Sequence, residues 1–121
     1  MAPENAQIYY VEDDQDSREI TEEFLEMAGH KIVETASSRQ EALDKIPHLK
    51  EMGVDVAIVD GNLTETDASG RDGEAIAKAI REQQPDIIVI GHALEKPIAN
   101  ANYNSTKYEG SMHLAELVTK V

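Results

Sequence analysis

The chain contains no cysteine and few basic residues for its size. Without cysteine it can form neither disulfides nor thiolate metal sites, and nothing in the composition indicates secretion. Its Lys and Arg total 11 against 24 Asp and Glu, which gives a net charge of −13. That charge argues against nucleic-acid binding, because the phosphates would repel the domain. It suits a protein that holds a cation or meets basic partners.

Long apolar runs are also missing, and none approaches the roughly 20 residues of a membrane-spanning helix. The sequence begins Met-Ala-Pro-Glu-Asn, with no basic stretch followed by an apolar one, so we expect no signal peptide. No two of the four histidines lie at i, i+4 spacing, which does not favour a zinc site. We therefore expect a cytoplasmic protein that does not enter a membrane, and we interpret residues 1–121 as one domain.

Short apolar segments alternate with helical patterns along the chain. The predicted strands are 7–11, 31–35, 54–59, 86–91 and a weak one at 102–106. Helices are predicted after the capping-box sequences that begin at Asp16 and Ser38, over 73–83, as a short segment within 92–106, and over 112–121. This alternation predicts a doubly wound, five-stranded parallel sheet with helices on both faces, a flavodoxin-like α/β domain of three layers.

Two details of the predicted helices depend on single residues. In the first helix Ile20, Phe24 and Met27 or Ala28 repeat at helical spacing, and we expect this face to meet the core. In the second, Pro47 falls inside the apolar pattern and is predicted to end or kink the helix near Ile46, because proline has no N–H to donate.

Acidic residues follow two of the predicted strands. The most apolar strand ends on Asp60, and the first strand is followed by Glu12 and Asp13. Right-handed crossovers bring the ends of these two strands to one edge of the sheet, where ligands bind in open α/β folds. Carboxylates that converge repel one another unless a hard cation relieves the repulsion, and Mg²⁺ prefers such oxygen ligands. The residues alone therefore support a Mg²⁺ site, with an ordinary solvated acidic turn as the alternative.

Four stretches of the sequence carry a resemblance to a known family. They are Val-Glu-Asp-Asp…Ser-Arg-Glu at 11–19, Val-Asp-Val-Ala-Ile-Val-Asp at 54–60, Asp-Gly-Glu-Ala-Ile-Ala-Lys-Ala-Ile-Arg at 72–81 and Pro-Asp-Ile-Ile-Val-Ile at 85–90. No single stretch suffices, but their order and spacing together are specific. The chain resembles, over essentially its whole length, the receiver domain of two-component response regulators.

The resemblance implies a role for each polar residue at the sheet edge. Asp60 would accept a phosphoryl group from a phosphohistidine on a partner histidine kinase or phosphotransfer protein. Mg²⁺ would be bound by Asp60, by Asp13 directly, by Glu12 through water and by the backbone carbonyl of Asn62. Lys107 matches the family's lysine after the fifth strand, which pairs with a phosphoryl oxygen. Any enzymatic activity would be limited to this phosphotransfer and to autodephosphorylation, and a downstream effector protein would receive the signal.

The chain departs from the family pattern after the fourth strand. His92 stands where the family has Thr or Ser, and Tyr108 stands where it has Pro after the lysine. The segment from His92 to Lys107 is shorter than usual by roughly two helical turns of about 3.6 residues each. The loop after Asp60 carries extra residues. These changes fall on the face where typical receivers switch and dimerise, so we expect phosphorylation to be retained and the usual output surface to be lost.

Alternative functions stay open at this point. His92 and the altered fifth-strand region favour a pseudo-receiver, which uses the same fold as a protein-interaction module without phosphorylation. A Mg²⁺-dependent hydrolase with Asp60 as nucleophile fits less well, because the chain has no cap domain and no evident substrate pocket residues. The alternative for His92 itself is a surface position at the pocket rim. The other histidines are expected at the surface or at helix ends: His30, His48 and His113.

Overall fold

The computed structural model describes residues 6–60, 71–93, 98–106 and 110–120. The elements in these residues are β1 (Gln7–Val11), α1 (Gln15–Met27), β2 (Lys31–Ala36), α2 (Arg39–Lys45), β3 (Val56–Asp60), α3 (Arg71–Gln83), β4 (Ile88–Ala93), β5 (Tyr103–Thr106) and α4 (Gly110–Lys120). None of the helices described is long and apolar enough to cross a membrane.

The strands form one parallel sheet in the order β2-β1-β3-β4-β5. β1 and β3 are neighbours, with Val11 paired to Val59, and β3 and β4 are neighbours, with Asp60 paired to His92. The first and third strands therefore end side by side at one edge of the sheet. The predicted five-stranded, flavodoxin-like fold is confirmed, and β2 lies at one edge of the sheet.

Alternate residues of the strands face opposite helix layers, because successive side chains of a strand point to opposite faces of the sheet. The layer with α2 and α3 packs against Tyr9, Val11, Ala57, Val59 and Val89. The layer with α1 and α4 packs against Ile8, Tyr10, Val56, Ile58 and Ile90. Every residue of β3 is buried, which explains why this strand is the most apolar in the sequence.

The rotation of α1 differs from the one that the apolar spacing predicted. Thr21 and Leu25 are its buried residues, whereas Ile20 is 55% exposed and Met27 is 77% exposed. Helical periodicity identifies an apolar stripe but does not decide which edge of the stripe meets the sheet. Here the packing of Leu25 with α4 and the sheet decides it, so the prediction for Ile20 and Met27 is wrong.

Side chains and a proline set the helix boundaries. The N-cap of α1 is Asp14, two residues before the predicted Asp16, and its carboxylate accepts from the Asp16 N–H at 3.3 Å. Ser38 caps α2 as predicted, accepting from the Glu41 N–H at 3.1 Å. α2 then ends at Lys45, and a 3₁₀ turn over Ile46–His48 follows it. The predicted effect of Pro47 is confirmed.

The connection from β4 to β5 has no helix in the part that the structure describes, residues 98–102. The predicted short helix is therefore not found there, and residues 94–97 lie outside the described chain. Ile98 instead turns into the core and is 3% exposed. Asn102 continues the pairing of the sheet ahead of β5, since its N–H donates to the Val89 carbonyl and its Oδ1 accepts from the Val89 N–H, both at 2.8 Å.

Candidate metal site at the carboxyl edge of the sheet

Three carboxylates converge where β1 and β3 end. Glu12, Asp13 and Asp60 each place an oxygen within 4.8 Å of the others. Glu12 is 1% exposed and Asp60 is 4% exposed, whereas Asp13 is exposed. Negative charges held this close in a partly buried site repel one another, and a cation between them relieves the repulsion. The structure thus brings together three of the residues that the sequence predicted for the site.

The backbone of Glu12 is held from two sides. Its N–H donates to the Ala36 carbonyl of β2 at 3.0 Å. Its carbonyl accepts from Nη1 of Arg18, in the first turns of α1, at 3.3 Å. Together with the Asp14 cap, these bonds fix the short connection between β1 and α1. The backbone that carries Glu12 and Asp13 therefore has little freedom to move.

Asp60 owes its position to the centre of the sheet. β3 lies between β1 and β4, and the strand is buried along its whole length, with Val59 paired to both Val11 and Gly91. Moving the carboxylate by shifting the strand would disrupt the packing of both faces. Such a fixed carboxylate is suited to chemistry that depends on orientation.

Tyr10 is a neighbour of the site that sequence reasoning did not identify. Burial raises its pKa well above the ordinary value of tyrosine, a hydrogen bond with Thr21 opposes this rise, and the charges of Glu12 and Asp60 add to it. The phenol is fully buried and stays neutral beside the carboxylates. Strand alternation accounts for its burial on the face of the sheet opposite to that of Tyr9. Its closeness to the acids follows only from the fold.

His92 is buried, with 4% of it exposed, so the alternative of a surface position at the pocket rim is wrong. In the sheet it lies between Asp60 on β3 and Ser105 on β5. Its Nδ1 is 3.3 Å from the Ser105 carbonyl oxygen. Because a carbonyl only accepts, Nδ1 carries a proton. The Ser105 hydroxyl in turn lies 3.0 Å from Nδ1 of His113 in α4.

The remaining predicted residues divide into two groups. Asn62, Lys107 and Tyr108 lie outside the described residues, as does the whole loop 61–70. Of the other histidines, His48 is exposed as predicted. His30 lies at the end of α1, where its N–H donates to the Leu25 carbonyl at 3.0 Å. Its predicted helix-end position is confirmed, but the residue is buried rather than at the surface, with 4% exposed.

The family model that matches this chain describes the response regulator receiver domain, and the match spans residues 8–106. The chain belongs to this family. No curated protein matches this chain in sequence. The match includes the ends of β1 and β3, so the carboxylates lie within the part that the family model covers.

Solved receiver structures share the fold at low identity. A CheY-like receiver domain protein from Methanospirillum hungatei JF-1 is 19% identical, with a TM-score of 0.76 over 96% of this chain and 92% of that chain. The receiver domain of a sensor histidine kinase from Pseudomonas aeruginosa PAO1 is 17% identical, with a TM-score of 0.77 over 96% of each chain. That structure has a magnesium ion coordinated in its active site cleft. The BeF3-activated DrrB receiver domain is 22% identical, with a TM-score of 0.71 over 96% of each chain.

Proposed function

We propose that this receiver domain accepts a phosphoryl group on Asp60 from a histidine kinase or phosphotransfer protein, with Mg²⁺ bound by Glu12, Asp13 and Asp60. The observation that carries the proposal is the convergence of these three carboxylates within 4.8 Å in a chain of this family. Carboxylate oxygens are the hard ligands that Mg²⁺ prefers, so the donor set fits the ion. The magnesium ion in the cleft of the Pseudomonas receiver supports the same assignment.

The reaction requires positioning more than covalent machinery. A carboxylate oxygen of Asp60 attacks the phosphorus of the donor's phosphohistidine and forms the new P–O bond. The P–N bond breaks, and its electron pair stays on the imidazole nitrogen of the donor. When bound, Mg²⁺ supplies charge neutralisation at the phosphoryl oxygens. Asp13 is exposed and would meet a hydrated ion from the solvent side, whereas the Glu12 carboxylate is buried beneath the site.

Three further residues complete the proposed site. Lys107 pairs with a phosphoryl oxygen, and Asn62 contributes its backbone carbonyl to the ion. His92 takes the place of the family's hydroxyl residue beside Asp60. With the proton of the neutral ring on Nδ1, its Nε2 can accept a hydrogen bond but can donate to a phosphoryl oxygen only in the doubly protonated ring. The protonation of His92 therefore supports a weak coupling between phosphorylation and conformational change, and the strength of this coupling should depend on pH.

Incubation with Mg²⁺ and acetyl phosphate, followed by intact-mass measurement, tests the proposal. We expect the wild-type protein to gain the mass of one phosphoryl group and to lose it on treatment with hydroxylamine. Omission of Mg²⁺ and the variant Asp60→Asn should each abolish the gain. A folded wild-type protein that gains no mass would point to the pseudo-receiver instead. A gain in Asp60→Asn would place the acceptor on another acid.

A further inference from the structure

His30 bridges the start of β1 and the last turns of α4. The residue follows α1 and is 4% exposed. Its Nδ1 lies 3.0 Å from the backbone nitrogen of Ala6, and its Nε2 lies 3.0 Å from Oγ1 of Thr119. Both ring nitrogens are therefore used, and their partners belong to two different parts of the chain.

The position of each proton in this network follows from its partners. The Ala6 N–H can only donate, so Nδ1 is the unprotonated, accepting nitrogen. The proton of the neutral ring is then on Nε2 and is donated to the Thr119 oxygen. The Thr119 hydroxyl donates in turn to the Ala115 carbonyl at 3.1 Å. A second proton on Nδ1 would point at the Ala6 N–H, and the hydrogen bond from Ala6 would break. Only the neutral ring therefore satisfies the network.

The surroundings also favour the neutral ring. Burial lowers the pKa of His30, and a hydrogen bond with the Ala115 backbone opposes that shift. The charged residues that lie near His30 or Thr119 in the sequence are all exposed: Glu26, Lys31, Glu116 and Lys120. Solvent screens their charges, so desolvation dominates.

We propose that His30 is a proton-sensitive latch, which holds the last turns of α4 to the start of β1 while neutral and releases them when protonated. A buried group with a lowered pKa stabilises the closed state at high pH. That stability is lost as the pH falls from the ordinary histidine value towards the pKa of the closed state. Release would loosen α4 over the core cluster that Leu114 and Val118 help to form. The latch is independent of phosphorylation at Asp60.

Amide hydrogen exchange combined with histidine ring titration tests the latch. We expect the His30 ring to titrate below the ordinary histidine value of about 6.5, because burial lowers its pKa. Below the His30 pKa, the opening equilibrium at Ala6 and at residues 115–120 should rise by about tenfold for each unit between that pKa and the ordinary value. Exchange rates are compared at about pH 7.5 and below about pH 5, on either side of the histidine reference value of about 6.5, after correction for intrinsic exchange.

Two variants separate the latch from general acid effects. In His30→Asn the side-chain oxygen can accept from Ala6 at any pH, so the acid-induced rise should vanish there, whereas the matched control His48→Asn should keep it. Thr119→Val leaves the bond to Ala6 and removes the link to α4. Residues 115–120 should then exchange quickly at both pH values, while the acid response of Ala6 persists. A His30 ring that titrates at or above about 6.5, or a full acid-induced rise in either His30→Asn or Thr119→Val at residues 115–120, would overturn the proposal.

Discussion

A methyl group at Gly91 would enter space that Asn104 of β5 and Ile98 of the β4–β5 connection already fill. An added Cβ would overlap Oδ1 of Asn104 and would lie 2.9 Å from Cβ of Ile98. The Asn104 oxygen cannot simply swing aside, because it accepts the Ile98 N–H at 2.8 Å. We therefore expect Gly91→Ala to destabilise the domain by forcing this part of the connection away from β4.

The magnitude follows from two costs. Overpacking at a tight contact costs about 1–3 kcal/mol, and leaving the Ile98 N–H without its acceptor costs about 1–3 kcal/mol. The backbone conformation at Gly91 is not left-handed, so alanine can adopt it without strain. Because alanine has less conformational freedom than glycine in the unfolded chain, the substitution should regain about 0.4–1 kcal/mol of stability. The net expectation is a loss of roughly 2–4 kcal/mol in the free energy of unfolding.

Urea denaturation of a double-mutant cycle measures this loss. The four proteins are wild type, Gly91→Ala, Asn104→Ala and the double variant. Removing the Asn104 amide relieves the overlap, so the double variant should lose less stability than the sum of the single losses, by about 0.5–3 kcal/mol. Strict additivity, or a Gly91→Ala protein as stable as wild type, would refute the steric account.

Four other outcomes follow from the contacts described. Asp60→Asn should gain no phosphoryl mass under conditions in which wild type does, as intact-mass measurement will show. Asp13→Ala should weaken Mg²⁺ binding by roughly tenfold or more in titration calorimetry; equal affinities would remove Asp13 from the site. Tyr9→Phe should lower the free energy of unfolding by about 0.5–1.5 kcal/mol, measured by thermal denaturation, because the phenol donates to the Ala42 carbonyl at 3.1 Å. Beryllofluoride should shift backbone amides near His92 only slightly or in a pH-dependent way, and large, pH-independent shifts would contradict weak coupling.

The sequence was sufficient for the carboxylate site because local signals determine it. Alternating apolar segments specify parallel strands, and the strand ends carry Glu12, Asp13 and Asp60 directly. No long-range detail is needed to predict that they meet, since chain crossovers have one hand. The alternation of side chains along a strand likewise explains why Tyr9 and Tyr10 pack on opposite faces of the sheet.

Contacts between distant parts of the chain could not be predicted in this way. The partners of His30 lie 24 and 89 residues away in sequence, so no local pattern indicates its burial. The rotation of α1 is similar, because Leu25 is selected by packing against α4, which comes last in the chain. His92 was identified by comparison with the family, yet its proton position depends on the backbone of β5.

The two sides of the carboxylate site are held by different kinds of interaction. On the β1 side, strand pairing and the Arg18 contact fix Glu12. On the β4 side, the described part of the connection contains no helix. Hydrogen bonds to side-chain amides hold the chain there, since Asn102 accepts from the Val89 N–H and Asn104 accepts from the Ile98 N–H. A hydrogen bond to a side-chain amide contributes about 1 kcal/mol to stability, far less than the packed face of a helix. Within the described residues, His92 contacts the Ser105 carbonyl and the Ser105 hydroxyl contacts His113, so β5 links His92 to α4 through this chain of contacts.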